Sequence, residues 1–199
     1  GNYNTVVGNE AGTAITTGDN NTAVGFEALS TEDANSYNTA VGYRALKTLN
    51  AGADAYSTAV GADAGTSITT GLYNNLIGGL AGANITTGDE NIAIGVNSLT
   101  AETAGNKTIA IGGGALAAQN STSDTDMFNV GVGYHAGNDV TTGRYNTLMG
   151  AIAADSVTEG GRNTALGYGA LQTDTKGSRS TAVGFNALGT QNFTSATDN

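Results

Sequence analysis

The chain of 199 residues has no proline, no cysteine and no tryptophan, a single histidine, and only 12% charged residues. Each absence excludes something. Without cysteine there are no disulfides, thiolate metal sites or haem-thiolate chemistry, while any cellular compartment remains open. Without proline, a backbone can commit nearly every amide to ladder hydrogen bonds. Seven Lys and Arg stand against 17 Asp and Glu, for a net charge of −10, and along the sequence no basic stripe collects the cations. That balance argues against nucleic acid as a partner. No apolar run approaches the ~18 residues of a membrane span, so no membrane insertion is expected. Sparse charge combined with abundant Asn, Thr, Ser and Gly fits neither an ordinary globular enzyme nor a charged disordered tail.

What the chain does have is a repeat. Asn-Thr-Ala-Val-Gly occurs outright at residues 21–25, 38–42 and 163–167, and looser copies end at Gly8, Gly61, Gly78, Gly95, Gly112, Gly133, Gly150 and Gly184. The steps between these eleven glycines are 17, 17, 19, 17, 17, 17, 21, 17, 17 and 17 residues. Strict recurrence at this period marks a solenoid, in which each coil presents the same residue types to its neighbours. Short β-branched segments closed by glycine make the coils strands rather than helices. The expected fold is all-β: a parallel β-solenoid or β-roll of about eleven 17-residue coils. Residues 1–199 read as one array, and a start in mid-pattern at Gly1-Asn2-Tyr3 reads as a segment of a longer fibre.

Positions are numbered from the signature glycine. Position −1 is apolar in all eleven copies, from Val7 to Val183, and is expected to form the core. Position +3 is alanine in ten copies, with Ser98 as the exception. Such small residues let backbones approach closely, in a narrow roll or at a seam between subunits. Position −4 is Asn in eight copies and Ser57, Thr108 or Ser180 in the rest. These side chains are expected to stack as a ladder or cap turns.

Two kinds of coil alternate in pairs. Type A continues Gly-x-x-Ala-Gly-x-x-Ile-Thr-Thr-Gly, as in residues 8–18, and type B continues Gly-[Phe/Tyr]-x-Ala-Leu, as after Gly25. The order is A, B, B, A, A, B, B, A, A, B, B. The two longer steps fall at residues 48–55 and 119–128, both after a second B coil, and should form loops on one side of the rod. Eleven of the twelve aromatics occupy two slots, −5 and +1. They are expected to stack along the rod or between chains, with a sugar-binding track as the sharper alternative. Candidate surface contacts are Tyr56 and Phe128 in the −5 slot, with Asp124 and Asp126 in the second insertion.

Catalytic signatures are not found. His135 recurs in no other coil, and no serine lies in a Gly-x-Ser-x-Gly setting. Asp124 and Asp126 resemble the start of a calcium loop but lack its glycine and closing glutamate. Gly112-Gly113-Gly114 precedes no helix that could offer amides to a phosphate. Neither an enzymatic activity nor a cofactor or metal is expected.

The phrase Asn-Thr-Ala-Val-Gly-[Tyr/Phe]-x-Ala-Leu, with Thr-Thr-Gly-x-x-Asn, resembles the head repeats of trimeric autotransporter adhesins. It is also similar to repeats in phage tail fibres and in fibre proteins of environmental bacteria. The resemblance covers nearly the whole chain. It implies a left-handed parallel β-roll, a homotrimer about one axis, and an extracellular place on a virion tail or a bacterial surface. The chain departs from the adhesins in its longer spacing and its AABB order, and residues 1–199 show no neck, stalk or anchor pattern. The resemblance implies a structural fibre segment that spaces or presents a receptor-binding region. A rod that itself binds a cell-surface glycan or matrix receptor is one alternative, and a filament-forming matrix protein is another.

Overall fold

The computed structural model describes residues 1–31, 33–195 and 197–198, the last two through their backbone only. Each signature glycine ends a three-residue strand, from Thr5–Val7 in coil 1 to Thr181–Val183 in coil 11. The eleven strands form one parallel sheet in which every coil pairs with the next. Register follows the repeat: Thr22 faces Thr39, Ala23 faces Ala40 and Val24 faces Val41. The register also holds across the 21-residue step, where Val130 faces Ile109. This is an all-β parallel β-solenoid, and at ~4.8 Å per rung its eleven coils span about 50 Å.

The expected inside and outside of the strand are reversed. Position −1 faces outward, with Val60 36%, Ile77 40%, Leu166 45% and Val183 63% exposed. Position −2 faces inward instead: Ala23, Ala40, Ala59, Leu76, Ala93 and Leu148 are fully buried. Strand side chains alternate, so a single anchored position fixes the phase of all the others. The anchor is the buried residue at −4, which places −2 on the same inner face. The interior of so narrow a roll is already occupied by Leu29, Leu46, Leu99, Leu116 and Leu171 from the opposite wall. That leaves room mostly for alanine across from them. The alanines at +3, apart from Ala187 in the last coil, are also buried within their own coil, so they form no seam between subunits.

Position −4 builds the ladder. Asn38 donates its N–H to Asn21 Oδ1 at 2.9 Å, and Asn21 Nδ2 donates to the Asn35 carbonyl. The same pattern ties Asn91 to Asn74, Asn146 to Asn129 and Ser180 to Asn163. Ser57 keeps the chain going by accepting the Asn74 N–H on its hydroxyl at 3.2 Å. Where the second insertion parts Thr108 from Asn129, Gln119 spans the gap. Its Nε2 donates to Thr108 Oγ1 and its Oε1 accepts from Asn129 Nδ2. Buried amides bonded in this way specify one register; Asn38 Nδ2, at the coil before the first insertion, is the ladder atom left without a partner among the described residues.

The AABB order is a code of core volume. B coils carry leucine at +4 and alanine at −2. Second A coils carry Leu76 or Leu148 at −2 instead. First A coils are hollow, with Gly65 or Gly137 at +4, and their neighbours fill them. A Cβ on Gly65 would stand 2.7 Å from Leu76 Cδ1 and 3.0 Å from Leu46 Cδ2. One on Gly137 would stand 2.4 Å from Leu148 Cδ1. Position +7 completes the packing. A coils bury Ile68, Ile85, Val140 and Val157 there, while two B coils bury the carboxylates of Glu102 and Asp174. Glu102 accepts N–H bonds from Gly105 and Ser121 and one from Gln119 Nε2. Asp174 likewise accepts from Gly177, Phe193 and Gln191.

The signature glycine has its own reason. Gly42 has φ of +138°, and a Cβ there would meet the Gly61 carbonyl oxygen at 2.4 Å. Successive coils turn this corner in near contact, which any side chain would prevent.

Candidate functional site

Three long features run up the outside of the rod. The first is the outer face of the sheet, made by positions −3 and −1. Thr22, Thr39, Thr58 and Thr164 line one column, with Asn75, Ile92, Ile109 and Val130 replacing threonine in coils 5 to 8. The valines, isoleucines, leucine and methionine at −1 line the other. Neither column contains a charged residue. Sequence reasoning placed the second column in the core, so this face was missed. The signal that could have found it is the phase set by a buried Asn at −4.

The second feature is the −5 column, where the backbone turns with positive φ, 48° at Tyr56 and 51° at Phe128. The left-handed turn repeats in every coil and carries the side chain outward. Tyr37 and Tyr56 stack with ring centroids 4.8 Å apart, and Tyr56 and Tyr73 stack at 6.0 Å. Phe128 and Tyr145 stack at 5.7 Å four coils further on. The aromatics are therefore stacked along the rod. Ring planes lie within 18° of parallel, so neighbouring faces cover one another and the edges point outward. Desolvation, with the charge of Asp54 adding to it, pushes the Tyr56 phenol up.

Of the four candidate contacts, three come together and one does not. Tyr56 lies in coil 4, roughly 19 Å along the axis from Phe128 in coil 8 at ~4.8 Å per rung. Phe128, Asp124 and Asp126 share the second insertion, whose residues Thr125–Asp126 pair with Gly105–Asn106. Asn106 Nδ2 donates to Asp124 Oδ1 at 2.6 Å, and Lys107 Nζ donates to Asp126 Oδ2 at 2.8 Å. The lysine bond holds the Asp126 carboxyl below its usual range and raises the ammonium of Lys107. Lys107 Nζ also sits 5.6 Å above the Phe128 ring. The acidic pair thus pins the insertion to the preceding coil. Both insertions are tucked in at their ends, through Leu49 and Ala55 in one and Gln119 and Met127 in the other.

The third feature is the +1 column, with Phe26 stacked on Tyr43 and Tyr168 stacked on Phe185. Its middle B coils carry Val96 and Gly113 instead of rings. A shallow cleft of about 380 Å³ opens there, bordered by Asn97, Gly114, Tyr134, His135 and Asn138. His135 is half-buried and stacks on Tyr134 at 4.1 Å. Its imidazole lies across the Cα of Gly114, where any Cβ would touch it. It is a packed side chain of the flank, held between Tyr134 and the Gly114 backbone.

Among the described residues no three His, Asp or Glu side chains gather in a group that could hold a metal ion. No helix among them is long and apolar enough to cross a membrane. Comparison with protein-family models, with curated proteins and with solved structures finds no match to this chain.

Proposed function

We propose that this chain is a structural segment of an extracellular fibre, a stiff rod that spaces or presents a receptor-binding region on a virion tail or a bacterial surface. In this reading three copies associate in parallel through the uncharged outer sheet face. The observation that carries it is that face. Eleven apolar side chains in register, flanked by threonine, isoleucine, Val130 and the single amide of Asn75, leave a continuous apolar stripe as long as the rod. A stripe of that extent is costly to leave in water on a chain with so few charges. Identical columns on identical rungs also suit association of copies about a common axis, because every coil offers the same contact.

The occupant is a second and third copy rather than another protein. A 17-residue period on one surface is matched without adjustment only by the same period on its partner. The ladder of internal hydrogen bonds makes each rod stiff, and stiffness along an axis is what a spacer needs.

Immunogold electron microscopy of the source material, with an antibody against this segment, tests the reading. Label along fibres projecting from virion tails or cell envelopes is expected. Label confined to soluble material inside cells would overturn it.

A further inference from the structure

The cations are concentrated at one end of the rod. Residues 1–104 hold two Lys or Arg against ten Asp or Glu, a net of −8, whereas residues 105–188 hold five against six, a net of −1. Coiling then brings most of those five together, which the linear sequence hid. Lys107, Arg162 and Arg179 occupy the −5 column in coils 7, 10 and 11, with Phe128 and Tyr145 between them. Arg144 stands beside that column in coil 9.

Two guanidinium groups share one ring. Arg144 Cζ lies 5.0 Å and Arg162 Cζ 5.5 Å from the Tyr145 centroid. Phe128 stacks on the same ring from the coil below. Lys107 is neutralised by Asp126, and Arg144 directs Nε and Nη2 to the Asp126 carbonyl oxygen. Among the described residues, neither Arg144 nor Arg162 has a carboxylate within 4.0 Å. By contrast, Arg44 and Lys47 near the other end are paired with Asp63 and Glu27. Like charges on adjacent rungs repel, and seating both on one aromatic ring adds order without supplying a counter-charge.

We infer that this strip is a binding surface for an acidic polysaccharide, with uronate carboxylates of the polymer taken by the Arg162 fork and by the outer Nη edge of Arg144, whose Nε side stays bonded to the Asp126 carbonyl. Guanidinium groups present paired N–H donors that match a carboxylate. The cation–π seating on Tyr145 holds them in place before the ligand arrives. A polyuronate carries at most one charge per sugar ring, a density suited to cations spread over a few ~4.8 Å rungs. A nucleic acid carries a charge about every 1.7 Å of duplex, denser than cations set on ~4.8 Å rungs can match. This inference goes beyond the spacer reading, because it makes the rod itself a contact surface.

The test is titration of the folded chain at low salt with polygalacturonate, neutral dextran, dextran sulfate and a single-stranded oligodeoxynucleotide. Sedimentation of the same samples reports the oligomeric state separately, so a failure of association and a failure of binding are told apart. Polygalacturonate is expected to bind and dextran not to. The R144Q/R162Q variant should weaken binding at least tenfold, and K47Q should leave it unchanged. Should the double variant fail to fold, R162Q alone should still weaken binding severalfold, with R162K recovering only part. Absence of polygalacturonate binding, equal loss in K47Q, or binding confined to dextran sulfate or the oligonucleotide would overturn the inference.

Discussion

The side-chain oxygen of Asn146 accepts the backbone N–H of Asn163, one coil further on, at 2.9 Å, while its Nδ2 donates to the Gly160 carbonyl at 3.0 Å. One fully buried amide thus ties two points of the next turn. Replacing Asn146 by Ala leaves a buried N–H and a buried carbonyl without these partners. Each orphaned group costs about 1–3 kcal/mol, so a loss of roughly 2–6 kcal/mol is expected. Urea unfolding measures it, and a loss below about 1 kcal/mol would mean the ladder is incidental.

The volume code can be tested by converting one coil type into the other. Gly82→Leu in coil 5 would collide with Leu76 and Ile85, whose methyls lie 2.8 Å from the position of a Cβ. Overpacking of this kind costs about 1–3 kcal/mol or more. Adding Leu76→Ala gives the coil the Ala, Leu combination of coil 3 and should recover most of the loss. A double variant no more stable than the single one would refute the code.

The outer sheet face gives a prediction about association. Ile77 is 40% exposed on that face and makes no core contact that a polar residue would spoil. The Ile77→Lys and Ile94→Lys pair should leave the β spectrum of the chain intact while converting a trimer to monomers in sedimentation. Thermal stability would then become independent of protein concentration. A wild-type chain that sediments as a monomer at every concentration would remove the trimer reading altogether.

Tyr56 touches two rings, so its contribution to the rod is separable from any role in binding. Aromatic pairs give about 0.5–1.5 kcal/mol each beyond their area. Tyr56→Ala is therefore expected to cost about 1–3 kcal/mol in thermal or urea unfolding. The end ring Tyr73→Ala, with one stacked partner, should cost about half as much. Equal effects at the two sites would argue against the stack as the cause.

Asp155 has its carboxyl pushed up by burial, with the charge of Asp139 adding to it and His135 opposing. An acid whose folded pKa is raised binds its proton more tightly when folded, so stability falls as pH rises from the unfolded value through the folded one. Asp155→Asn should stabilise the chain slightly at pH 7, with solvent screening keeping the gain within about 0.5 kcal/mol. The advantage should vanish below the ordinary aspartate range. Melting curves at pH 7 and pH 3.5 decide it, and a gain that persists at the lower pH would point to another cause.

The sequence by itself determined the coil count, the register and the ladder, because all three follow from a fixed step between equivalent residues. Gly42 and Gly61, or Asn21 and Asn38, need only be counted to be placed on successive rungs. The stacking of Tyr37 on Tyr56 was legible for the same reason. The sequence could not say which face of a three-residue strand turns inward. Three residues are too few to show alternation, and Val24 is more apolar than Ala23, so hydrophobicity alone pointed the wrong way. Only the tertiary structure decided that, by filling the interior with Leu29, Leu46 and their counterparts until little but alanine fitted opposite. It also decided which cations meet. Arg144 and Arg162 are 18 residues apart in the chain, and coiling sets both against the ring of Tyr145.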